Sequence, residues 1–219
     1  MVSHYSSVNT SVRDLPVRGF LHLPAIPAGD GLVLTHGAGS NCNAPLITAL
    51  ADAFCASSLA VLRCDLPFRQ ARPSGPPPRG SAERDQEGLR AAIAFMQDQV
   101  HGRLFLGGHS YGGRMASMLA AAQPGTADGL LLLSYPLHPP QRPQDLRTTH
   151  FPQLRTPSLF VHGARDGFAT VDELQGAMAL IPGRTELLSI AAAGHELLTK
   201  GNRDELPQQI VKAFLALAG

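Results

Sequence analysis

Several features that would place a chain in a specialised class are scarce or missing in this sequence. Its 219 residues include three cysteines and no tryptophan, and 16% of them are charged. Cys42, Cys55 and Cys64 form an odd set without a C-x-x-C spacing, which argues against a disulfide framework and against a zinc site. We expect three reduced, mostly buried thiols and a structural role for Cys42.

The sequence also lacks a large net charge and a long apolar run. A formal charge of +1 supplies no field that would hold a polyanion, so we expect no nucleic-acid partner. No apolar run approaches the ~20 residues of a membrane span, and residues 1–16 lack the basic start and apolar stretch of a signal peptide. These absences predict a cytoplasmic protein without a membrane partner and leave its oligomeric state open.

The sequence does contain a regular succession of short apolar runs and helix-forming segments. The runs are continuous, not alternating, which is typical of strands buried on both faces of a parallel sheet. They cover residues 31–35, 59–66, 103–107, 129–134, 158–161 and 186–190. The segments between them that suit crossover helices are 45–57, 82–100, 111–122, 171–180 and 203–217. We therefore predict an α/β fold, with a mostly parallel, doubly wound sheet flanked by helices, in a single domain over residues 1–219.

Two proline-rich segments interrupt this succession. Residues 67–80 hold five prolines and two glycines, which argues against a regular helix or a central strand, so we expect a loop. Residues 135–157 form the other insertion that is large enough to cover a site. The predicted strands and helices use most of the remaining chain, so we expect no large lid.

The strongest chemical signal is the sequence G-H-S-Y-G at residues 108–112, which follows one predicted strand directly and precedes a predicted helix. A serine on such a tight strand-to-helix turn adopts a strained backbone conformation with its hydroxyl exposed, and the flanking glycines leave room for the turn. We interpret Ser110 as a nucleophile. The alternative is a serine that merely caps the helix.

A serine hydroxyl is a weak nucleophile at neutral pH, so it needs a general base, and the base needs an orienting acid. His195 follows the predicted strand 186–190, and Asp166 follows the strand 158–161. Because the carboxyl ends of parallel strands meet at one edge of the sheet, we expect both residues beside Ser110.

Other residues compete for these two roles. Most of the nine histidines are expected to be hydrogen-bonded or solvated imidazoles, but position and chain order single out His195 as the base. Asp172 lies within the next predicted helix, and Asp128 and Asp145 precede the relevant strand. We therefore predict Asp166 as the orienting acid.

The glycine-rich turn H-G-A-G-S at residues 36–40 follows the first predicted strand. An oxyanion hole needs two backbone N–H groups aimed at the developing negative charge. We assign these donors to Tyr111, which follows the nucleophile, and to Ala38, with Gly37 as the alternative to Ala38. The turn matches neither the phosphate-binding nor the dinucleotide-binding pattern, and a glycine-rich turn without any ligand is the other interpretation.

Together these motifs resemble the α/β-hydrolase superfamily, through residues 36–39, 108–112, 162–166 and 194–195. The resemblance spans about residues 17–218. The motifs H-G-A-G-S, G-G-H-S-Y-G-G-R-M-A-S and H-G-A-R-D-G-F are similar to those of its compact dienelactone-hydrolase-like branch. With S-Y-P-L-H-P-P at 134–140, they especially resemble a small hydrolase-like domain that bacterial proteins share with a subunit of an animal histone-acetyltransferase complex.

This resemblance implies hydrolysis of an ester or a related acyl bond, without a cofactor or a metal ion. Ser110 would attack, His195 would move the proton and Asp166 would orient His195. Dienelactone hydrolases proper use a cysteine nucleophile, so their lactone substrate is not carried over. We predict a serine esterase for small, short-chain substrates. Thioesters, peptides or C–C bonds are alternative substrates for the same triad, and a non-catalytic interaction module is the alternative from another class.

Two loop regions yield hypotheses about the substrate. Five arginines lie in or beside the segment 67–80, namely Arg63, Arg69, Arg72, Arg79 and Arg84. One or two of them are candidates to contact a carboxylate or phosphate of the substrate, and replacing Arg69 and Arg72 would test this. The alternative is a solvated loop that is rich in arginine by composition. The run Y-P-L-H at residues 135–138 either lines an acyl pocket or packs as an ordinary loop.

Overall fold

The structure of the protein, a computed structural model, describes residues 5–219, which form one eight-stranded sheet with helices on both faces. The strands are β1 (Tyr5–Val12), β2 (Leu15–His22), β3 (Gly31–Thr35), β4 (Ala60–Cys64), β5 (Leu104–His109), β6 (Gly129–Leu133), β7 (Ser158–Gly163) and β8 (Thr185–Ile190). The helices are α1 (Pro45–Ala56), α2 (Pro67–Ala71), α3 (Ala82–Gln97), α4 (Tyr111–Ala122), α5 (Val171–Met178) and α6 (Leu206–Ala218). The predicted domain and the analysis of the N-terminus also included residues 1–4, which lie outside the described residues.

The strand order is β1-β2-β4-β3-β5-β6-β7-β8. The six strands β3 to β8 pair in parallel, whereas β1 and β2 pair antiparallel at one edge. This arrangement confirms the predicted mostly parallel, doubly wound sheet. The carboxyl ends of the parallel strands meet along one edge of the sheet. Ser110, Asp166 and His195 lie at this edge, in the segments that follow β5, β7 and β8.

The continuous apolar runs are explained by burial on both faces of the sheet. In β6, Leu130 and Leu132 pack with residues of α3 and α4, whereas Leu131 and Leu133 pack with residues of α1 and α6. Successive strand residues point to opposite faces, so a strand that is covered on both sides requires an apolar residue at every position.

The structure departs from the sequence prediction at two places. Residues 5–22 form the β1–β2 hairpin, which was not predicted. Residues 67–71 form the short helix α2, although we expected a loop throughout 67–80. Pro67 occupies the first turn of α2, where its fixed φ suits a helix and its missing N–H costs nothing.

The connection between β6 and β7 is irregular apart from a single turn of 3-10 helix, Phe151–Gln153. It adds no helical insertion above the sheet, so the prediction of a fold without a large lid is confirmed. Within residues 5–219, none of the helices combines the length and the apolar character that a bilayer-spanning segment requires.

Candidate active site

Ser110 lies on a sharp turn between β5 and α4. Its φ of 51° and ψ of −114° are strained for a residue with a side chain. The Ser110 N–H donates to the Leu133 carbonyl at 2.7 Å, which ties the turn to β6. A Cβ atom at Gly108 would lie 2.8 Å from the Gly112 carbonyl carbon, and one at Gly112 would lie 2.6 Å from the His36 oxygen. The close approach of these backbone segments explains why both positions are glycine.

The structure brings the three predicted triad residues together in one hydrogen-bonded chain. His195 Nε2 lies 2.9 Å from Ser110 Oγ, and His195 Nδ1 lies 2.8 Å from Asp166 Oδ2. Because the ionised carboxylate only accepts, Nδ1 carries the proton, and the Nε2 lone pair faces the serine hydroxyl. This arrangement can remove the proton from Ser110 when the hydroxyl oxygen attacks an electrophile.

Asp166 is buried, yet it is held as an anion. Burial alone would raise the pKa of this carboxyl, but the hydrogen bond and charge of His195 and the N–H of Phe168 outweigh burial and lower the pKa. The Phe168 N–H donates to Oδ1 at 2.9 Å, so each carboxylate oxygen has a partner. A charged, fixed carboxylate of this kind stabilises an imidazolium at His195.

Two aromatic side chains confine the His195 ring. The Phe168 ring lies 4.3 Å from it, centroid to centroid, and the His109 ring lies 5.0 Å away. His109 Nε2 also lies 2.8 Å from the His195 carbonyl oxygen, so Nε2 carries a proton and donates it. Burial is the main cause that lowers the pKa of His109, which keeps its ring neutral. His109 therefore fixes the loop that carries His195.

The two backbone N–H groups predicted for the oxyanion hole have no acceptor within residues 5–219. Tyr111 begins α4, where an N–H has no partner within the helix. The Gly37 carbonyl accepts from His36 Nδ1 at 2.8 Å and from the Ser40 N–H, so the planar peptide directs the Ala38 N–H the opposite way. The Gly37 N–H is also without an acceptor in this part of the chain, so the choice of Ala38 over Gly37 stays a prediction.

Arg69 holds the loop that carries Ala38. Its side chain is 5% exposed and stacks at 5.0 Å over the Phe68 ring. Its guanidinium donates four hydrogen bonds to backbone carbonyls, those of Ser40 at 2.7 Å, Ala38 at 2.8 Å, Gly75 at 2.9 Å and Arg72 at 3.2 Å. The donors of one planar group therefore join the glycine-rich turn to the proline-rich segment.

This geometry overturns the hypothesis that Arg69 binds an anionic substrate. Four of the five N–H groups of a guanidinium are already used on carbonyl oxygens, and the group is buried. For Arg72, which is exposed, a contact with substrate stays a prediction. The guanidinium of Arg63 is also used within the protein, because it donates to His22 Nε2 and to the Cys42 carbonyl.

Asp85 positions the other side of the elbow. This fully buried carboxylate accepts from the Tyr111 hydroxyl at 2.7 Å and from the Phe68 N–H at 3.0 Å. It thereby joins α3 to α2 and to the first residue of α4. Burial and the hydrogen bond to Asp85 raise the pKa of Tyr111, so its hydroxyl stays protonated and keeps donating.

Sequence reasoning missed the positioning roles of His36, Arg69, Asp85 and His109. Three of these side chains donate to backbone carbonyls, and Asp85 accepts from a backbone N–H. A backbone group belongs to every residue type, so these contacts do not require a particular pair of residues that could be recognised in the sequence. The available signal was position, since His36 and His109 lie within the two glycine-containing motifs.

The remaining candidates pack as ordinary structure. The residues of the run 135–138 are buried, with the Tyr135 hydroxyl donating to the Arg147 carbonyl at 2.7 Å and the His138 N–H to the Phe168 carbonyl. All three cysteines are free and buried, as expected. Burial is the largest cause that raises the pKa of the Cys42 thiol to about 12, which leaves it without nucleophilic character near neutral pH. Within residues 5–219, no three His, Cys, Asp or Glu side chains are grouped as metal ligands would be.

Comparison with known proteins agrees with this fold. Residues 28–218 match the model of the family described as alpha/beta hydrolase domain. The dienelactone hydrolase of Anabaena variabilis superposes with a TM-score of 0.75 at 20% identity, over 97% of this chain and 98% of that chain.

Two further solved structures extend the comparison. An esterase of Pyrococcus furiosus has a TM-score of 0.78 at 14% identity, over 99% and 92% of the two chains. A serine hydrolase without lid from Xanthomonas campestris has a TM-score of 0.74 at 16% identity, over 97% and 96%. At these identities the likeness establishes the fold. The closer resemblance to a histone-acetyltransferase subunit stays a prediction.

Proposed function

Since the chain belongs to the alpha/beta hydrolase family, we propose that it is a cofactor-free serine hydrolase that cleaves short-chain carboxylic esters through an acyl-enzyme at Ser110. The observation that carries this proposal is the continuous hydrogen-bonded chain from Ser110 Oγ through His195 to Asp166, on a strained strand-to-helix turn. A helix-capping serine would need neither that base nor the strain. The ester is the small-molecule partner that the proposal assigns to the protein.

The first half of the reaction acylates the enzyme. Ser110 Oγ attacks the ester carbonyl carbon while its proton passes to His195 Nε2, which gives a tetrahedral oxyanion and an imidazolium. The N–H groups of Tyr111 and Ala38 would donate to the oxyanion. Collapse of the intermediate breaks the ester C–O bond, and the alcohol leaves with the proton returned by His195.

The second half regenerates the serine. A water molecule gives one proton to His195 Nε2 and attacks the acyl carbon of the ester to Ser110. Collapse of the second tetrahedral intermediate releases the carboxylic acid and returns the proton to Ser110 Oγ. Asp166 holds the proton of His195 at Nδ1 in both halves, so Nε2 is available as the base each time.

The preference for short substrates is supported by what surrounds the triad. The fold has no lid to shelter a long acyl chain. The irregular segments 72–80 and 135–150 contact the surroundings of the site through the Gly75 carbonyl at Arg69 and the His138 N–H at the Phe168 carbonyl. A site built in this way favours small, soluble esters over extended lipid chains. The similar lidless serine hydrolase and the esterase support the same class of reaction at the level of fold.

The test is hydrolysis of p-nitrophenyl esters from acetate to decanoate, together with labelling by a fluorophosphonate probe. We expect turnover to peak at two to four carbons, and we expect turnover and labelling to disappear in Ser110→Ala, by several orders of magnitude in kcat/KM.

The matched control is Ser117→Ala. Ser117 is also buried on α4 and also lies beside a histidine, with its Oγ 2.8 Å from His150 Nε2. We expect this variant to keep turnover and labelling. Persistence of both signals in Ser110→Ala would contradict Ser110 as the nucleophile, whereas the absence of both from the unmodified protein would favour the non-catalytic interaction module. Turnover of thioesters but not of oxygen esters would reassign the substrate on the same triad.

A further inference from the structure

A cavity lies along the outer side of α4, away from the triad. Its volume is about 500 Å³, within the range of sites that bind small molecules. Its walls are formed by α4, by Gln86 of α3 and by part of the segment 146–153, and none of the three triad residues contributes to them. We call it the Arg114–Arg147 cavity after the two charged residues that line it.

The charges of this cavity are not balanced by the protein. Arg114 and Arg147 line it together, and among the described residues no acidic side chain does. Within residues 5–219, the arginines that form ion pairs with carboxylates are Arg103, Arg142 and Arg184. Burial, and then the positive charge of Arg114, lower the pKa of Arg147. Two like charges held in a half-buried space raise the free energy of the folded protein unless an anion is present.

Hydrogen-bonding capacity in the cavity is also unused. Arg114 Nε is buried and has no acceptor among the described residues. Arg147 donates from one terminal nitrogen to the Pro136 carbonyl at 3.1 Å and makes no other side-chain hydrogen bond in this part of the chain. Guanidinium groups with free donors match the oxygens of a carboxylate or a phosphate in charge and in geometry.

The remaining wall is apolar. Met118, with Ala121 and Ala122 on the next turn of α4, lines one side, and Leu146, which is 50% exposed, lines the rim. An inorganic anion would fill little of 500 Å³ and would leave these side chains uncovered. An anion that carries a short hydrocarbon body would contact both kinds of wall.

We propose that the Arg114–Arg147 cavity is a binding site for a small organic anion, with a carboxylate or phosphate head group between the two guanidinium groups and an apolar body against Met118. Such a ligand would supply the acceptors that Arg114 and Arg147 lack and would cover the apolar side of α4. The site is separate from the proposed esterase site and does not depend on Ser110 being a nucleophile.

The test is isothermal titration calorimetry at low salt with three probes of equal chain length, namely hexanoate, hexyl phosphate and 1-hexanol. We expect hexanoate, hexyl phosphate or both to bind to the unmodified protein and to Ser110→Ala with equal affinity, and 1-hexanol to bind much more weakly. The two anions distinguish the carboxylate from the phosphate source. Arg147→Gln should weaken the binding of the anion about tenfold or more, since a hydrogen bond to a charged group is lost.

The matched control is Arg142→Gln, which removes a nearby arginine that is exposed and paired with Asp145. This variant should keep the affinity of the unmodified protein. Arg147→Gln should also unfold at an unchanged or higher temperature without ligand, because it removes the repulsion from Arg114, and it should keep its ester hydrolysis.

Three outcomes would overturn the proposal. They are binding of neither anion, equal binding of 1-hexanol and the anions, and an affinity that Arg147→Gln leaves unchanged. The last result would place the bound anion at the catalytic edge instead. Failure of ester hydrolysis in the unmodified protein would bear on the proposed function alone.

Discussion

Two serines, Ser110 directly before α4 and Ser117 within it, each contact a histidine, and the direction of the hydrogen bond differs between the two pairs. Ser110 Oγ lies 2.9 Å from His195 Nε2, and Ser117 Oγ lies 2.8 Å from His150 Nε2. The Ser117 hydroxyl donates to the Arg114 carbonyl at 2.9 Å, so His150 must donate to Ser117. At the first pair the imidazole is the acceptor, and at the second it is the donor.

The presence of an acid at one pair and its absence at the other explain this difference. His195 Nδ1 donates to the Asp166 carboxylate, which leaves its Nε2 lone pair free. Within residues 5–219, no carboxylate pairs with His150. Burial, and then the charge of Arg114, lower its pKa to about 4. A histidine in contact with a serine therefore acts as a base only when a further group holds the imidazole proton on the ring nitrogen that faces away from the serine. The same absence of acids leaves positive charge unbalanced in the Arg114–Arg147 cavity.

The largest effect is expected when Asp166, the acid beside the Ser110–His195 pair, is replaced by a neutral side chain. In Asp166→Asn, the side-chain amide can donate to His195 Nδ1, which moves the imidazole proton to Nε2 and turns the base into a donor, as at His150. We expect kcat for ester hydrolysis to fall by about 10⁴-fold with the fold intact. Steady-state kinetics beside circular dichroism measures both effects. Asp172→Asn, an exposed carboxylate on α5, is the control and should keep full activity. Equal activity of the two variants would contradict the role of Asp166.

A smaller effect is expected from a change at Arg69, which holds the glycine-rich turn that carries Ala38 and does not contact His195. Arg69→Lys keeps the charge, but a single ammonium cannot reach the four carbonyls that the guanidinium holds. We expect kcat to fall about tenfold to a hundredfold, since loss of a whole oxyanion donor costs ~10²–10³. KM should change little.

The control for this variant is Arg72→Lys, which alters an exposed arginine of the same segment. It should leave both kinetic constants in place. A rise in KM for anionic esters alone, with kcat unchanged, would instead restore the hypothesis that Arg69 binds substrate.

The smallest effect concerns the second pair and is measured as stability against pH. The unfolded chain takes up a proton at His150 near its ordinary pKa of ~6.5, whereas the folded protein resists it until about pH 4. Stability is therefore lost as the pH falls through this interval. His22, His36 and His109, whose pKa values burial also lowers, contribute to the same slope.

We expect His150→Gln, which still offers a donor to Ser117, to show a shallower decline in the free energy of unfolding between pH 7 and pH 4. Urea titrations at several pH values measure it. The unmodified protein supplies the reference slope, and identical slopes for the two proteins would refute the assignment of a buried neutral imidazole to His150.

The central strands and the triad positions could be predicted from the sequence because both depend on local signals. Full burial leaves continuous apolar runs such as 129–133, and a strained turn leaves glycines at 108 and 112. The β1–β2 hairpin left no such signal. Seven of the eight residues of β1 are Ser, Thr, Asn, Val or similar small residues at an exposed edge, and its turn places Arg13 and Asp14 at positive φ without a glycine.

The supports of the site could not be predicted for a different reason. Arg69 reaches across 31 residues to the Ala38 carbonyl, and Asp85 reaches across 26 residues to Tyr111. These contacts depend on how α2 and α3 are placed against the sheet. Only the packed structure determines which donor meets which acceptor.

The Arg69 guanidinium also has a consequence for local opening of the chain. By holding carbonyls at both ends of a stretch of chain that contains α1 and β4, it acts as a noncovalent crosslink between the glycine-rich turn and the proline-rich segment. Segments that share such an anchor open together as one cooperative unit and not one at a time. In hydrogen exchange, the amides of residues 37–41 and 69–75 would then exchange with similar opening free energies, although they are far apart in sequence.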